Sequence, residues 1–130
     1  MPDSARILLY VALGGALGSV ARYLAGEAAY AHWGRAFPYG TFLVNLAGSF
    51  LMGLIFCVAV SGTLLPGLLA RGLMVGVLGG FTTFSSFSLE TLQLIQNGQL
   101  RTAIAYSLGS VLLGLLGVWL GYLLGGVLVR

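Results

Sequence analysis

From residue 36 to residue 70 the chain carries no charged side chain. A soluble domain cannot sustain such a run, because its surface needs a solvated shell and about a quarter of its residues are charged. Over all 130 residues the charged fraction is 7%, against 58% hydrophobic, and the mean hydropathy is +1.01. The solvent for which this chain is built is therefore hydrocarbon. In hydrocarbon the backbone must satisfy its own polar groups, so only helices and closed barrels span it. Apolar runs of roughly 20 residues select helices.

Four such runs fit, over 7–25, 39–60, 68–95 and 102–128. "SGTLLPG" (61–67) must divide the second from the third, since no charge marks the boundary. "AHWGRAFPYG" (31–40) and "QNGQLR" (96–101) supply the other turns, each with residues that favour chain reversal. The expectation is one all-α integral membrane domain over 1–130, with no soluble body behind a leader. Cys57 is the single cysteine, which excludes an intramolecular disulfide framework and a CxxC metal site. The net charge of +3 comes from arginine alone, and the six arginines are scattered. No basic patch points to nucleic acid. His32 stands in a turn with no nucleophile or carboxylate cluster beside it, so an enzyme is the least favoured class.

Small and polar residues recur at helical spacing. Gly14 and Gly18, Gly76 and Gly80, and Gly117, Gly121 and Gly125 each repeat every four residues, the pattern that lets membrane helices approach closely. They predict extensive helix contact, including contact with a partner subunit. Thr41, Asn45, Ser49 and Gly53 share one face of the second helix, and Thr102, Tyr106, Ser110 and Gly114 share one face of the fourth. A lone hydroxyl can bond its own helix backbone, but the Asn45 amide cannot be silenced that way. Two polar stripes in a bilayer indicate groups that pair or line a cavity.

The third run contains "LGGFTTFSSFSLE" (78–90). Gly79-Gly80 followed by Thr82-Thr83 is a poor helix interior, so a break near mid-membrane is expected there. Broken backbone at that depth frees carbonyls and is tolerated only when buried or lining a cavity. Phe84 and Phe87, three residues apart, project from one side. A phenyl ring has a positive edge, which attracts an anion weakly without offering it a proton. On spacing alone, two such phenylalanines are more often ordinary packing residues.

"GGALGSVARY" (14–23), "GTFLVNLAGSFLMG" (40–53) and "GGFTTFSSFSLE" (79–90) closely resemble the Fluc, or CrcB-type, fluoride channels of microbes, over essentially the whole chain. The resemblance implies a multi-pass protein of the bacterial inner membrane that exports fluoride passively, conferring resistance. It also implies a dual-topology antiparallel homodimer with two pores and a structural sodium ion at its centre. Phe84 and Phe87 match the phenylalanines flanking the fluoride path, with Asn45 beside them and Tyr106 and Ser110 as polar positions on the fourth helix. Thr41, Thr83 and Ser85 are further hydroxyls assigned to the path. The resemblance gives Gly79 and Thr82 as the residues whose backbone carbonyls hold sodium. Arg22 matches the first-helix arginine of the motif, with its role open, as is that of Glu90.

Two other membrane classes compete. A proton-coupled small multidrug-type transporter also has four short spans, but it relies on an acid embedded in the first helix. Here the first run holds none through Ala21, and Glu27 falls at its end. A non-conducting subunit would need the polar stripes only for pairing. Orientation is read from arginine. Arg6, Arg71 and Arg130 fall on one side of a four-span arrangement, and Arg22, Arg35 and Arg101 on the other. Without an excess of positive charge on either side, insertion in both orientations is expected.

Overall fold

The computed structural model describes residues 3–62 and 64–130. Among these, four helical segments are long and apolar enough to cross a membrane: Asp3–Trp33, Tyr39–Ser61, Gly67–Gln96 and Leu100–Leu128. The first, second and fourth are the continuous helices α1 (Asp3–Trp33), α2 (Tyr39–Ser61) and α6 (Leu100–Leu128). The third is composite. It begins as α3 (Gly67–Arg71), widens into a π-helical stretch over Gly72–Leu78, tightens into α4 (Gly79–Phe81), and resumes after two extended residues as α5 (Phe84–Gln96).

The helix ends follow from local chemistry. Gly34, Gly62 and Gly98 have φ of 79°, 70° and 75°, left-handed values that glycine adopts without Cβ strain. They terminate α1, α2 and α5. Pro38 and Pro66 stand immediately before α2 and α3, where a missing N–H leaves no helical bond unmade. α1 is longer at both ends than the apolar run alone indicates. Its tail is rich in alanine (Ala25, Ala28, Ala29 and Ala31), so propensity carries the helix on past the hydrophobic stretch. At 1.5 Å per residue α1 spans about 46 Å, against roughly 30 Å of hydrocarbon. Its last turns therefore reach the interfacial region. Thr63, within the second connection, lies outside the described residues.

Glycine organises the bundle into two tightly packed pairs. A Cβ added at Gly14 would meet the Gly72 carbonyl at 2.8 Å, and one at Gly80 would meet the Gly15 carbonyl at 2.6 Å. A Cβ at Gly18 would run into the Val77 carbonyl. α1 thus lies backbone against backbone along the first half of the third span. α6 lies along α2 in the same manner, with Gly121 on Phe50 and Gly125 on Cys57. The spaced glycines singled out from the sequence serve contacts inside the single chain.

The composite third span differs in one respect from the sequence-based expectation. Gly79 and Gly80 remain helical, and the extended residues are Thr82 (φ −85°, ψ 159°) and Thr83 (φ −152°, ψ 122°). Gly80 belongs to the close approach to α1, whereas Gly79 is exposed and a Cβ there would reach only Met74 of its own span. The threonines absorb the change of direction.

Candidate functional site

At the interruption, side chains replace the helical donors. In a continuous helix the Thr83 N–H would bond the Gly79 carbonyl. It donates instead to Asn45 Oδ1 at 2.7 Å, while Asn45 Nδ2 donates to the Thr83 carbonyl at 2.9 Å. One amide side chain on α2 therefore brackets the backbone of a single residue, Thr83, and ties down the two peptide units that flank it. The Ser86 N–H, which would otherwise serve the Thr82 carbonyl, donates to Thr83 Oγ1 at 3.2 Å. This is an N-cap of the usual kind, a β-region threonine accepting from the third residue beyond. Arg22 Nε donates to the Gly80 carbonyl at 3.0 Å. Gly80 and Thr83 thus gain side-chain donors, whereas the carbonyls of Gly79 and Thr82 have lost the donors of a regular helix.

α5 leaves this cap with Phe84, Phe87 and Glu90 at successive three-residue steps. The Phe84 and Phe87 ring centroids are 5.6 Å apart. Phe87 packs on Tyr106 at 5.2 Å, and Phe37 meets the same ring edge-to-face at 5.4 Å and 84°. Tyr106 is wholly buried, with Leu94 and Ala103 completing its surroundings. Such packing fixes the ring and leaves the hydroxyl one direction in which to point. That direction is Glu90: Tyr106 Oη donates to Glu90 Oε2 at 2.7 Å. Thr41 Oγ1 donates to Glu90 Oε1 at 2.7 Å, and Tyr30 Oη to the same oxygen at a longer 3.3 Å. All four spans, through Tyr30, Thr41, Glu90 and Tyr106, meet at one carboxylate.

The other sequence-derived residues extend from that point. Ser110, one turn beyond Tyr106 on α6, has a buried Oγ with no hydrogen-bond partner among the described residues. Asn45 and Ser49 line a cavity of about 260 Å³ together with Thr82, Thr83 and Phe84. Thr83 Oγ1 lies 3.4 Å from Ser85 Oγ. The Thr82 hydroxyl is occupied, donating to the Leu78 carbonyl at 2.9 Å. Phe84 is 78% exposed on the single chain, and Ser85 and Gly79 are exposed beside it. The structure thus draws Thr41 and Tyr106 together at Glu90, joins Asn45 to Thr83, and stacks Phe87 on Tyr106.

Glu90 and Tyr30 carry more of the site than the sequence reading assigned to them. Tyr30 gives no local signal. Glu90 does, as the sole acid in the third apolar run, since an ionisable residue within a span marks function by default.

Four apolar spans that converge on the buried Thr41 and Tyr106 and on the partly buried Glu90 define a small multi-pass helical membrane protein with a polar interior. Residues 9–122 match the family described as CrcB-like protein, Camphor Resistance (CrcB), and the chain belongs to that family. It is similar to the "Fluoride-specific ion channel FluC" of Magnetococcus marinus, 52% identical over 118 residues that cover 91% of this chain and 96% of the relative. A protein of the same name from Thermus thermophilus is 53% identical over 121 residues, 93% of this chain and 94% of its own length. That of Geobacter sulfurreducens is 50% identical over 114 residues, 88% and 92% of the two chains.

Proposed function

We propose that this protein is a fluoride channel that lets the ion leave a bacterial cell passively through the plasma membrane. The observation that carries the reading is the row from Glu90 to Ser110, at the core of a chain about half identical to proteins so named. Fluoride is small and strongly hydrated, so a narrow path must replace its water with donors. Thr41 and Tyr106 supply hydroxyl donors whose oxygens each lie 2.7 Å from a Glu90 carboxylate oxygen. An arriving anion must displace the carboxylate from those protons, so the donors stay oriented but are not free to trap the ion. Phe87, stacked on Tyr106, and Phe84 beyond it offer ring edges. The buried Ser110 hydroxyl has a proton to give and no acceptor among the described residues. Asn45 retains one amide proton beyond the one it gives to Thr83, and Thr83 and Ser85 complete the set of hydroxyls. Arg22 shares a cavity with Thr41, Thr83 and Glu90, but its Nε is committed to the Gly80 carbonyl at 3.0 Å. It therefore does not hold the row's hydroxyls with a free charge that would bind the ion too firmly for release.

The reading includes a homodimer. Irregular backbone at membrane depth is tolerated only where protein or a cavity covers it, and Gly79, Phe84 and Ser85, which flank the extended Thr82 and Thr83, are exposed on the single chain. A second copy covers them. The balanced arginines, Arg6, Arg71 and Arg130 against Arg22, Arg35 and Arg101, favour insertion in both directions and hence an antiparallel pair with two equivalent paths. The carbonyls of Gly79 and Thr82, deprived of helical donors, have the oxygen chemistry that suits a sodium ion. Bound there, sodium supplies positive charge that holds the two interruptions together. Arg22 keeps the Gly80 carbonyl out of that set. The small multidrug-type alternative loses its requirement, because Glu27 pairs with Arg35 at the end of α1.

Fluoride efflux from liposomes, followed with a fluoride electrode, tests the assignment. The purified protein should release trapped fluoride rapidly and chloride far more slowly. Absence of fluoride release from vesicles containing folded protein would refute it.

A further inference from the structure

Where α1 runs out of the hydrocarbon, a cavity of about 370 Å³ opens beside the Glu90 cluster. Its charged lining residues are Arg35 and Glu90; Tyr30 stands between them, and Gln93, Asn97 and Gln99 add neutral amides. The Arg35 guanidinium carbon lies 4.6 Å from the centre of the Tyr30 ring, and the Tyr30 hydroxyl donates to Glu90. On its other side Arg35 Nη2 is 3.3 Å from Glu27 Oε1 and 3.5 Å from Oε2. The Arg35 and Glu27 side chains are 69% and 50% exposed. A pair so wet is worth little, on the order of 0.2–1 kcal/mol. A ladder of Glu27, Arg35, Tyr30 and Glu90 therefore runs from water to the point where the four spans meet, and its loosest rung is the arginine.

We infer that Arg35 is the anion-capturing residue at the mouth of the path, and that Glu27 competes with the arriving fluoride for it. The inference rests on the fluoride-channel reading. A cation at the wet end of a low-dielectric cleft focuses the field and raises the local concentration of anions. Because Arg35 is exposed and only weakly paired, it exchanges one anion for another quickly, which a buried arginine at the constriction would not do. The captured ion is then next to Tyr30, whose hydroxyl is the outermost of the three on Glu90, and passes inward to Thr41 and Tyr106. Glu27 holds the guanidinium against α1 between ions and lowers the net field at the mouth.

Electrostatic capture has a signature that packing lacks. The Debye length falls from about 30 Å at 0.01 M ionic strength to about 3 Å at 1 M. Initial fluoride efflux would be measured from liposomes holding the parent, R35Q, R35K, E27Q and the R35Q/E27Q double variant, at both ionic strengths set with an impermeant gluconate salt. R35Q should lose several-fold in rate at low ionic strength and converge on the parent at high. R35K should restore most of the loss, E27Q should exceed the parent at low ionic strength, and the double variant should follow R35Q. A parent that conducts while R35Q matches it at 0.01 M would overturn the capture role and leave the channel reading intact. So would an R35Q loss that persists undiminished at 1 M and is not restored by R35K, since that pattern belongs to lost packing on Tyr30. A folded parent that releases no fluoride would overturn both.

Discussion

The third span is two different objects joined at Thr82 and Thr83. Before the joint, residues 67–81 are glycine-rich, widened into a π-helical stretch, and pressed backbone to backbone on α1. After it, Phe84–Gln96 keeps its distance from its neighbours and reaches them through side chains, with Phe87 and Glu90 on Tyr106 and Glu90 on Thr41. The first half gains its stability from close approach, which leaves no room for water or ions. The second half has side chains between helices and therefore room for chemistry. One continuous helix could not do both, because its faces are fixed by a single register. The extended threonines reset it, and Asn45 holds the reset in place.

If that division is right, the largest effects on stability belong to the first half. Gly18→Ala places a Cβ against the Val77 carbonyl, and α1 and the third span must separate to admit it. Overpacking of this kind costs about 1–3 kcal/mol or more, and backbone is the atom set least able to yield. The folded protein should be lost or strongly destabilised in detergent melting curves. A Gly18→Ala protein with the parent's melting temperature would break the comparison at its root.

Next comes the joint itself. Asn45→Asp keeps size but cannot donate to the Thr83 carbonyl, and it sets an acidic group beside it. Losing a buried hydrogen bond and leaving its acceptor unpaired costs about 1–3 kcal/mol. Fluoride efflux should collapse, with Ser49→Ala, one turn along α2, much milder. Equal efflux from the Asp variant and the parent would mean that the bracket is dispensable.

Smaller in stability but large in function are the rings. Phe84→Ile and Phe87→Ile keep bulk and apolarity and remove the positive edge. Efflux should fall severely for each, while only the second should also lower the melting temperature, since Phe87 alone of the two packs on the buried Tyr106. Unchanged efflux from the double variant would leave the rings as packing. The smallest effect sharpens the contrast on α1, the helix against which the first half is pressed. Gly15→Ala puts its Cβ in open space, so stability should change by no more than roughly 1 kcal/mol, the helix-propensity scale.

Much of this was legible in the sequence, for identifiable reasons. The four spans follow from hydropathy, which in lipid leaves few alternatives, and the ends of α2 and α6 fall where the apolar runs stop. The polar stripe on α2 was legible because Thr41 and Asn45 are four residues apart and must share a face. Their separate partners were not, because Glu90 and Thr83 are 49 and 38 positions away from them and only tertiary packing brings them together. The glycine pair misled for a related reason. Gly79-Gly80 has the propensity of a helix breaker, but at Gly80 the neighbouring α1 rewards a missing Cβ, and packing overrode propensity. The tail of α1 was missed because hydrophobicity reads the membrane's thickness, whereas alanine lets a helix continue beyond it.

The central claim is that the half after the joint carries the ion, and Glu90 is where it is most exposed to test. Glu90→Gln retains shape and an accepting oxygen for Thr41 or Tyr106 but gives up the charge that orients three hydroxyls at once. Initial fluoride efflux from liposomes, measured on protein whose melting curve matches the parent's, should drop tenfold or more. Parent-like efflux from that folded variant would contradict the account, because the path would then run elsewhere.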